Sequence, residues 1–199
     1  MSEGTLNIYT SGVGGFGIGS VTRILTVASE LTGKQVVGSE THGLAQRGGV
    51  VVSTLRIGEN IIGSPLVING TADIVVALEP LEALRAMPVL KRGGTIIYNT
   101  TKFQPLVVRL KQERYPSLEE IEAELRKVTD NVIPLDASAK AKELGLSQAA
   151  NVVLIGALVG KGVLPFDMEV IKRAVKEATP ERFLETNLKA LEVGRDAVS

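Results

Sequence analysis

The stretch "TSGVGGFGIG", residues 10–19, packs five glycines into ten positions between an apolar run and a helix-forming one. Upstream, Leu6 to Tyr9 alternate as a β-strand does. Downstream, Ile18, Val21, Leu25, Ala28 and Leu31 recur at helical spacing, and Gly33 closes that helix. The glycines therefore read as a strand-to-helix loop. Gly12, Gly14 and Gly17 fit G-x-G-x-x-G, and Glu40 follows a second short strand where a ribose-binding acid would be sought. Glycine permits a tight turn, and the helix N-terminus offers free amide donors to an anion. The same residues equally suit a bare turn, or a backbone that another protein chain can approach. No lysine follows at the spacing of a Walker loop.

Working outward, Gln35–Val37 reads as a short strand followed by a glycine-studded loop, "GSETHGLAQRGG", at 38–49. Two β-rich runs then flank Gly58-Glu59-Asn60, which reads as a hairpin turn and argues against a purely parallel sheet. DIVVAL at 73–78 is apolar without alternation, as in a strand covered on both faces. Pro80 opens a short helix, "GGTIIYNT" supplies another central strand ending at Asn99, and Ser117 with Glu120 has capping-box spacing ahead of a helix over 117–128. "NVIPLD" is a last short strand. Beyond Ala137 the pattern is helical, with Gly194 as the expected stop. The fold class predicted is α/β: a three-layer Rossmann-like fold whose mixed, largely parallel sheet includes a β-hairpin, with a helical C-terminal segment. No repeat or linker divides residues 1–199, which read as a single domain.

Composition removes several functions. Twenty-two basic residues balance twenty-two acidic ones, so no sequence-wide field draws nucleic acid or anionic lipid. The longest greasy stretch, Val152 to Val159, is far short of the roughly 20 residues of a bilayer span. With no signal-peptide pattern at MSEGTLNIYT, the expected location is cytoplasmic. There is no cysteine, hence no thiol nucleophile and no thiolate for zinc or an iron–sulfur cluster. His42 is the lone histidine, which leaves little conventional proton-transfer equipment.

The second glycine cluster changes the reading. "GVGGFG" at 12–17, "THGLAQRGG" at 41–49, "STLRIG" at 53–58, "SPL" at 64–66 and "ADIVVALEPLEALR" at 72–85 resemble, in order, the gamma subunit or domain of the 2-oxoacid:ferredoxin oxidoreductases. "NVVLIGAL" and "NLKALEVG" extend the resemblance over essentially the whole chain. "THGLAQRGG" is most similar to the beta subunit of the indolepyruvate members. The resemblance implies a non-catalytic subunit with no catalytic residue and no metal site of its own. Thiamine diphosphate and 4Fe–4S clusters would sit on a larger alpha subunit, ferredoxin would be reached through the complex, and coenzyme A would lie at the subunit interface. This division agrees with the absent cysteines and the absent GDG-to-Asn thiamine motif.

The candidate binding residues are Gly12, Gly14, Gly15, Gly17, His42, Gln46, Arg47 and Gly48, with Asn99 added because open α/β sheets place ligands at strand ends. Arg47 has the donor fork to clamp a carboxylate or phosphate, and His42 could donate to the same anion or to a partner carbonyl. Subunit contact and internal loop wiring are the alternatives for both. Gln46 could orient ligand or loop, Gly48 and Gly49 could serve only the backbone path, and Asn99 could be a turn former. One departure stands out: the family loop usually carries glutamine where this chain has Phe16. That leaves the backbone amides of Gly14, Gly15 and Gly17 as the loop's polar donors. The competing function is an independent Rossmann-type nucleotide-binding protein.

Overall fold

The computed structural model describes residues 4–42, 49–61, 63–104 and 113–198. In chain order these form β1 (Leu6–Val13), α1 (Ile18–Leu31), β2 (Gln35–His42), β3 (Val50–Gly58), β4 (Ala72–Ala77), α2 (Pro80–Arg85), β5 (Leu90–Asn99), α3 (Leu118–Leu125), β6 (Val132–Leu135), α4 (Ala137–Glu143), α5 (Ala150–Gly160), α6 (Met168–Ala178) and α7 (Glu181–Asp196). The strands make one sheet in the order β2-β3-β1-β4-β5-β6. β1, β4, β5 and β6 run parallel, whereas β3 is antiparallel to both β1 and β2. The mixed, largely parallel sheet is as expected.

Its hairpin is not where the turn residues point. β2 and β3 form it, in register from Gln35 opposite Gly58 to His42 opposite Val51. After Gly58-Glu59-Asn60 no strand follows among residues 61 and 63–71. The reason is topological: β3 already has β1 on one side and β2 on the other, so a strand turning back at 58–60 finds no free edge. The chain instead crosses a face of the sheet, where Arg56 donates to the Ser64 carbonyl at 2.6 Å and Thr54 Oγ1 to the Pro65 carbonyl at 3.0 Å.

Two apolar layers sandwich the sheet. Ile8, Ile74, Val76 and Ile97 point to the side covered by α1 and α4–α7, and Val75, Ala77, Ile96 and Tyr98 to the side of α2 and α3. Successive β4 residues thus alternate between two cores, which explains why DIVVAL shows no polar face. α1 buries Ile18, Val21, Ile24, Leu25 and Ala28, each large side chain contributing about 1.5–3 kcal/mol. α3 begins with the expected capping box of Ser117 and Glu120 but stops at Leu125 rather than 128.

α5 is apolar all round and buried over Asn151 to Leu158, the pattern of a helix enclosed by others. Its chief neighbour is α7, and here a second expectation is corrected. Gly194 does not stop α7, which runs on to Asp196; it lies inside the helix and lets α5 approach. A β-carbon on Gly194 would sit 1.9 Å from the Val153 carbonyl oxygen, and one on Gly156 2.0 Å from that of Leu191. No helix of the described residues is long and apolar enough to cross a membrane.

Candidate functional site

β1 leads through α1 to β2 on one side of the sheet, while β4 continues on the other. The carboxyl ends of β1 and β4 therefore flank the point where the winding reverses, the place where open α/β sheets have a crevice. A cavity of about 260 Å³ opens there, with Gly15 and Phe16 after β1, Leu78 after β4, Asn99 at the end of β5, Gln148 just before α5 and Asn151 at its start among its lining residues.

The glycine loop is built by tertiary contacts as much as by its own sequence. β1 is longer than Leu6–Tyr9 and takes in Gly12, so the first glycine of the fingerprint is a strand residue, not a loop residue. A β-carbon there would meet Leu78 Cβ at 3.0 Å and Ile18 Cδ1 at 3.2 Å, so Gly12 serves close strand-to-helix packing. Gly14 donates its N–H to the Gly49 carbonyl at 2.9 Å, and Phe16 donates to Val13 at 3.1 Å. Gly15 (φ +96°) and Gly17 (φ +84°) hold left-handed conformations on either side of Phe16. Gly15 is exposed; Gly17 caps α1 with no side-chain capping bond. Asn151 donates to the Gly17 carbonyl at 3.0 Å and accepts from its neighbour Val152 at 2.8 Å, tying the loop to α5. Sequence reasoning missed Asn151, although a lone amide opening an apolar helix was a usable signal.

Asn99 closes β5 as expected and is buried. Its amide donates to Ser138 Oγ at 2.8 Å and to the Leu78 carbonyl at 3.4 Å, and its oxygen accepts from Ser138 N–H at 3.2 Å. These bonds join β4, β5 and α4, making Asn99 a brace of the cavity wall. β2 extends well beyond Val37, so residues 38–42 are strand rather than loop, and His42 ends β2 opposite Val51, itself opposite Gly12 of β1. The ends of β1 and β2 thus share one edge, and the Gly14–Gly49 bond joins the two glycine clusters. Gln46, Arg47 and Gly48 lie outside the described residues.

The dinucleotide reading meets two obstacles. It requires β2 beside β1, but β3 lies between them, which at about 4.8 Å per strand moves the end of β2 roughly 10 Å from the glycine loop's strand. In addition, Glu40 Oε2 lies 3.7 Å from where a Gly19 β-carbon would stand, setting negative charge beside the first turn of α1. A diphosphate there would face that charge.

On the other face of the same strand ends lies a polar cluster that the sequence showed only as a helix start. Glu79 is 1% exposed. Its carboxylate accepts from the amides of Leu81 (2.7 Å), Glu82 (3.3 Å) and Phe103 (3.1 Å), and from the Tyr115 hydroxyl. Burial and that bond to Glu79 push the Tyr115 hydroxyl far above the usual phenol range. Glu82, also buried, accepts from Ser11 Oγ at 3.1 Å and pairs with Arg85. Burial holds its carboxyl above the ordinary carboxylate value, while Arg85, by charge and by hydrogen bond, pulls it back.

A carboxyl that binds its proton more tightly in the folded chain favours folding while protonated. That contribution is complete below the unfolded pKa and lost as pH rises through the raised folded one. Urea midpoints measured upward from about pH 4 should therefore fall in the wild type relative to Glu82→Gln, whose profile lacks this component. Parallel pH profiles for the two proteins would contradict the assignment.

Residues 7–197 match the pyruvate ferredoxin/flavodoxin oxidoreductase family. The chain is 43% identical to indolepyruvate oxidoreductase subunit IorB of Archaeoglobus fulgidus, over 95% of this chain and 93% of that one. Among solved structures it resembles the gamma subunit of a keto/oxoacid ferredoxin oxidoreductase from Geobacter sulfurreducens, with a TM-score of 0.70 and 26% identity, covering 97% and 98% of the two chains. It has the fold, at 19% identity and a TM-score of 0.73, of 31% of a 2-oxoglutarate:ferredoxin oxidoreductase chain from Magnetococcus marinus solved with 2-oxoglutarate, coenzyme A and succinyl-CoA; the match covers 99% of this chain. The chain belongs to the pyruvate ferredoxin/flavodoxin oxidoreductase family, in which it is a small, gamma-type subunit of a 2-oxoacid:ferredoxin oxidoreductase.

Proposed function

We propose that this chain is the non-catalytic small subunit of a cytoplasmic indolepyruvate, or other aryl 2-oxoacid, ferredoxin oxidoreductase, and that residues 1–199 act as one unit. Its larger alpha partner carries thiamine diphosphate and 4Fe–4S clusters, and the complex converts the 2-oxoacid to an acyl-CoA while reducing ferredoxin. The supporting observation is the single edge of the sheet where the glycine loop after β1, bonded through Gly14 to Gly49, borders a cavity at the winding reversal. Clusters do not fit this chain, because they need thiolate ligands and it has no cysteine. Thiamine diphosphate, bound on the partner, supplies the electron sink for decarboxylation.

The role left to this chain is to bind and orient. Gly12 and Gly17 shape the loop, and the backbone of Gly14 and Gly15 gives another molecule room to approach. Asn99 braces the wall behind it. His42, Gln46, Arg47 and Gly48 supply polar contacts to coenzyme A or the large subunit from the neighbouring segment. Arg47→Ala removes a charge-assisted contact of about 1.5–3 kcal/mol, so the assembled enzyme should lose roughly ten- to hundredfold in coenzyme A affinity or assembly constant. A bulky residue at Gly14 should act in the same direction.

The chain purified without its partner should show neither indolepyruvate-dependent dye reduction nor iron–sulfur absorbance, and coexpression with the large subunit should give both. Oxoacid oxidation by the isolated chain would refute the subunit role. Unchanged assembly and kinetics in both variants would refute the edge assignment. Submicromolar NAD binding, more than about 8 kcal/mol of affinity, would instead establish the nucleotide-binding reading.

A further inference from the structure

Phe16 stands between two glycines in left-handed conformations, the most permissive backbone the loop could have. Its own N–H donates to the Val13 carbonyl, which closes the turn but does not orient the ring. A neighbour of that ring is Phe103, whose own ring meets it edge to face, with centroids 5.3 Å apart and planes at 83°. Phe103 is 41% exposed, an unusual position for a large apolar ring, and so gains comparatively little from burial. Its backbone is nevertheless pinned, because its N–H donates at 3.1 Å to Glu79, a carboxylate buried at the start of α2. A chain of contacts therefore runs from a fixed acid through Phe103 to the one bulky residue of the glycine loop, on the rim of the cavity that Gly15 and Phe16 line.

We infer that Phe103 is a positioning residue for the glycine loop: held by Glu79, its ring fixes Phe16 and with it the direction in which the Gly15 backbone faces the cavity mouth. The aromatic pair takes the place of a side-chain hydrogen bond, since phenylalanine has no polar group with which to anchor the loop. The kinetic consequence, though not the positioning itself, rests on the proposal that coenzyme A uses this edge.

Hydrogen exchange of the peptide spanning residues 14–17 in the full-length chain tests the inference, with Phe103→Ala and Phe103→Tyr as the variants. In Phe103→Ala the loop amides should exchange up to about tenfold faster, the factor that the coupling energy of one aromatic pair supports. The unfolding midpoint should fall only slightly, because Phe103 is already 41% exposed and its loss removes one aromatic pair. Phe103→Tyr keeps the ring edge and should restore wild-type exchange. In the assembled enzyme, Phe103→Ala should raise KM for coenzyme A severalfold with kcat within about twofold, as expected when a change alters binding and leaves the chemical step alone. Unchanged loop exchange in Phe103→Ala, or a tyrosine variant that behaves like alanine, overturns the positioning role whatever the kinetics show. Faster exchange with unaltered coenzyme A kinetics upholds the positioning role and counts instead against coenzyme A at this edge.

Discussion

Gly194→Ala is expected to cost about 3 kcal/mol or more of unfolding free energy, and Gly156→Ala a similar amount. The added β-carbons would lie 1.9 Å from the Val153 carbonyl oxygen and 2.0 Å from that of Leu191. Overpacking costs about 1–3 kcal/mol where side chains can yield, and more where they cannot. Here the obstructing atoms are helix backbone on both sides, in a buried part of the molecule, so relief requires moving α5 and α7 apart along their contact. Gly160 continues the seam, with its β-carbon position 2.9 Å from the Arg195 carbonyl oxygen. The helix-propensity gain from replacing glycine, about 1 kcal/mol, opposes the loss but does not cancel it.

For a chain of 199 residues, 3 kcal/mol corresponds to a fall in Tm of roughly 6–12 °C. Gly19→Ala is the control. It too is a helical glycine, but its β-carbon would find only the Glu40 carboxylate oxygens, at an ordinary 3.7 and 3.9 Å, so it should be neutral or slightly stabilising. Calorimetry that found Gly194→Ala as stable as Gly19→Ala would show that the two helices do not approach this closely.

Removing the Glu79 carboxylate should be comparably damaging. Glu79→Ala takes the carboxylate away from four donors at once, the amides of Leu81, Glu82 and Phe103 and the hydroxyl of Tyr115, of which the Leu81 amide keeps a second acceptor in the Tyr115 oxygen at 3.2 Å. Each buried donor left without an acceptor costs about 1–3 kcal/mol where water cannot replace the partner, and the charge-assisted bonds are at the upper end. Allowing for water reaching some of them, a loss of about 3–5 kcal/mol is expected by urea unfolding. Glu79→Gln keeps one acceptor oxygen but presents an NH₂ to donors on its other side, so about half that loss should remain. Tyr115→Phe removes the hydroxyl's donation to Glu79 and its acceptance from the Leu81 amide at 3.2 Å, but that amide keeps Glu79 as acceptor, so the cost should be about 1–2 kcal/mol. A Glu79→Ala protein within 1 kcal/mol of wild type would mean that the cluster is open to solvent.

How much of this was legible in the sequence depends on the range of the interaction concerned. α1, the Ser117–Glu120 capping box and the doubly covered β4 were readable because each is decided by residues within a few positions of one another. The glycine loop was recognisable for the same reason, as was the start of α1 at Ile18. The hairpin was misplaced because Gly58-Glu59-Asn60 has sound turn chemistry, while the pairing partners of β3 are chosen by which sheet edges are free. Gly194 was misread for a related reason: a glycine near the end of an apolar pattern looks the same whether it terminates a helix or admits another one.

The candidate site divides along the same line. Gly14, Gly15 and Gly17 fall where expected, whereas Gly12 belongs to the strand and the amide of Asn99 is committed to Leu78 and Ser138. Asn151, Glu79 and Phe103 reach the site from 134, 62 and 86 positions beyond Gly17, and no local pattern announces contacts across such separations. The sequence by itself determined the two-sided sheet, the strand-to-helix glycine loop, the absence of thiolate chemistry and the family resemblance, since each depends on residue type and short spacing. Only the tertiary structure decided that β3 lies between β1 and β2, that α5 and α7 meet at glycines, and that a buried carboxylate holds Phe103 against the loop. Those outcomes depend on which surfaces meet when the chain closes on itself, where long-range exclusion and the need to satisfy every buried donor outweigh local preference.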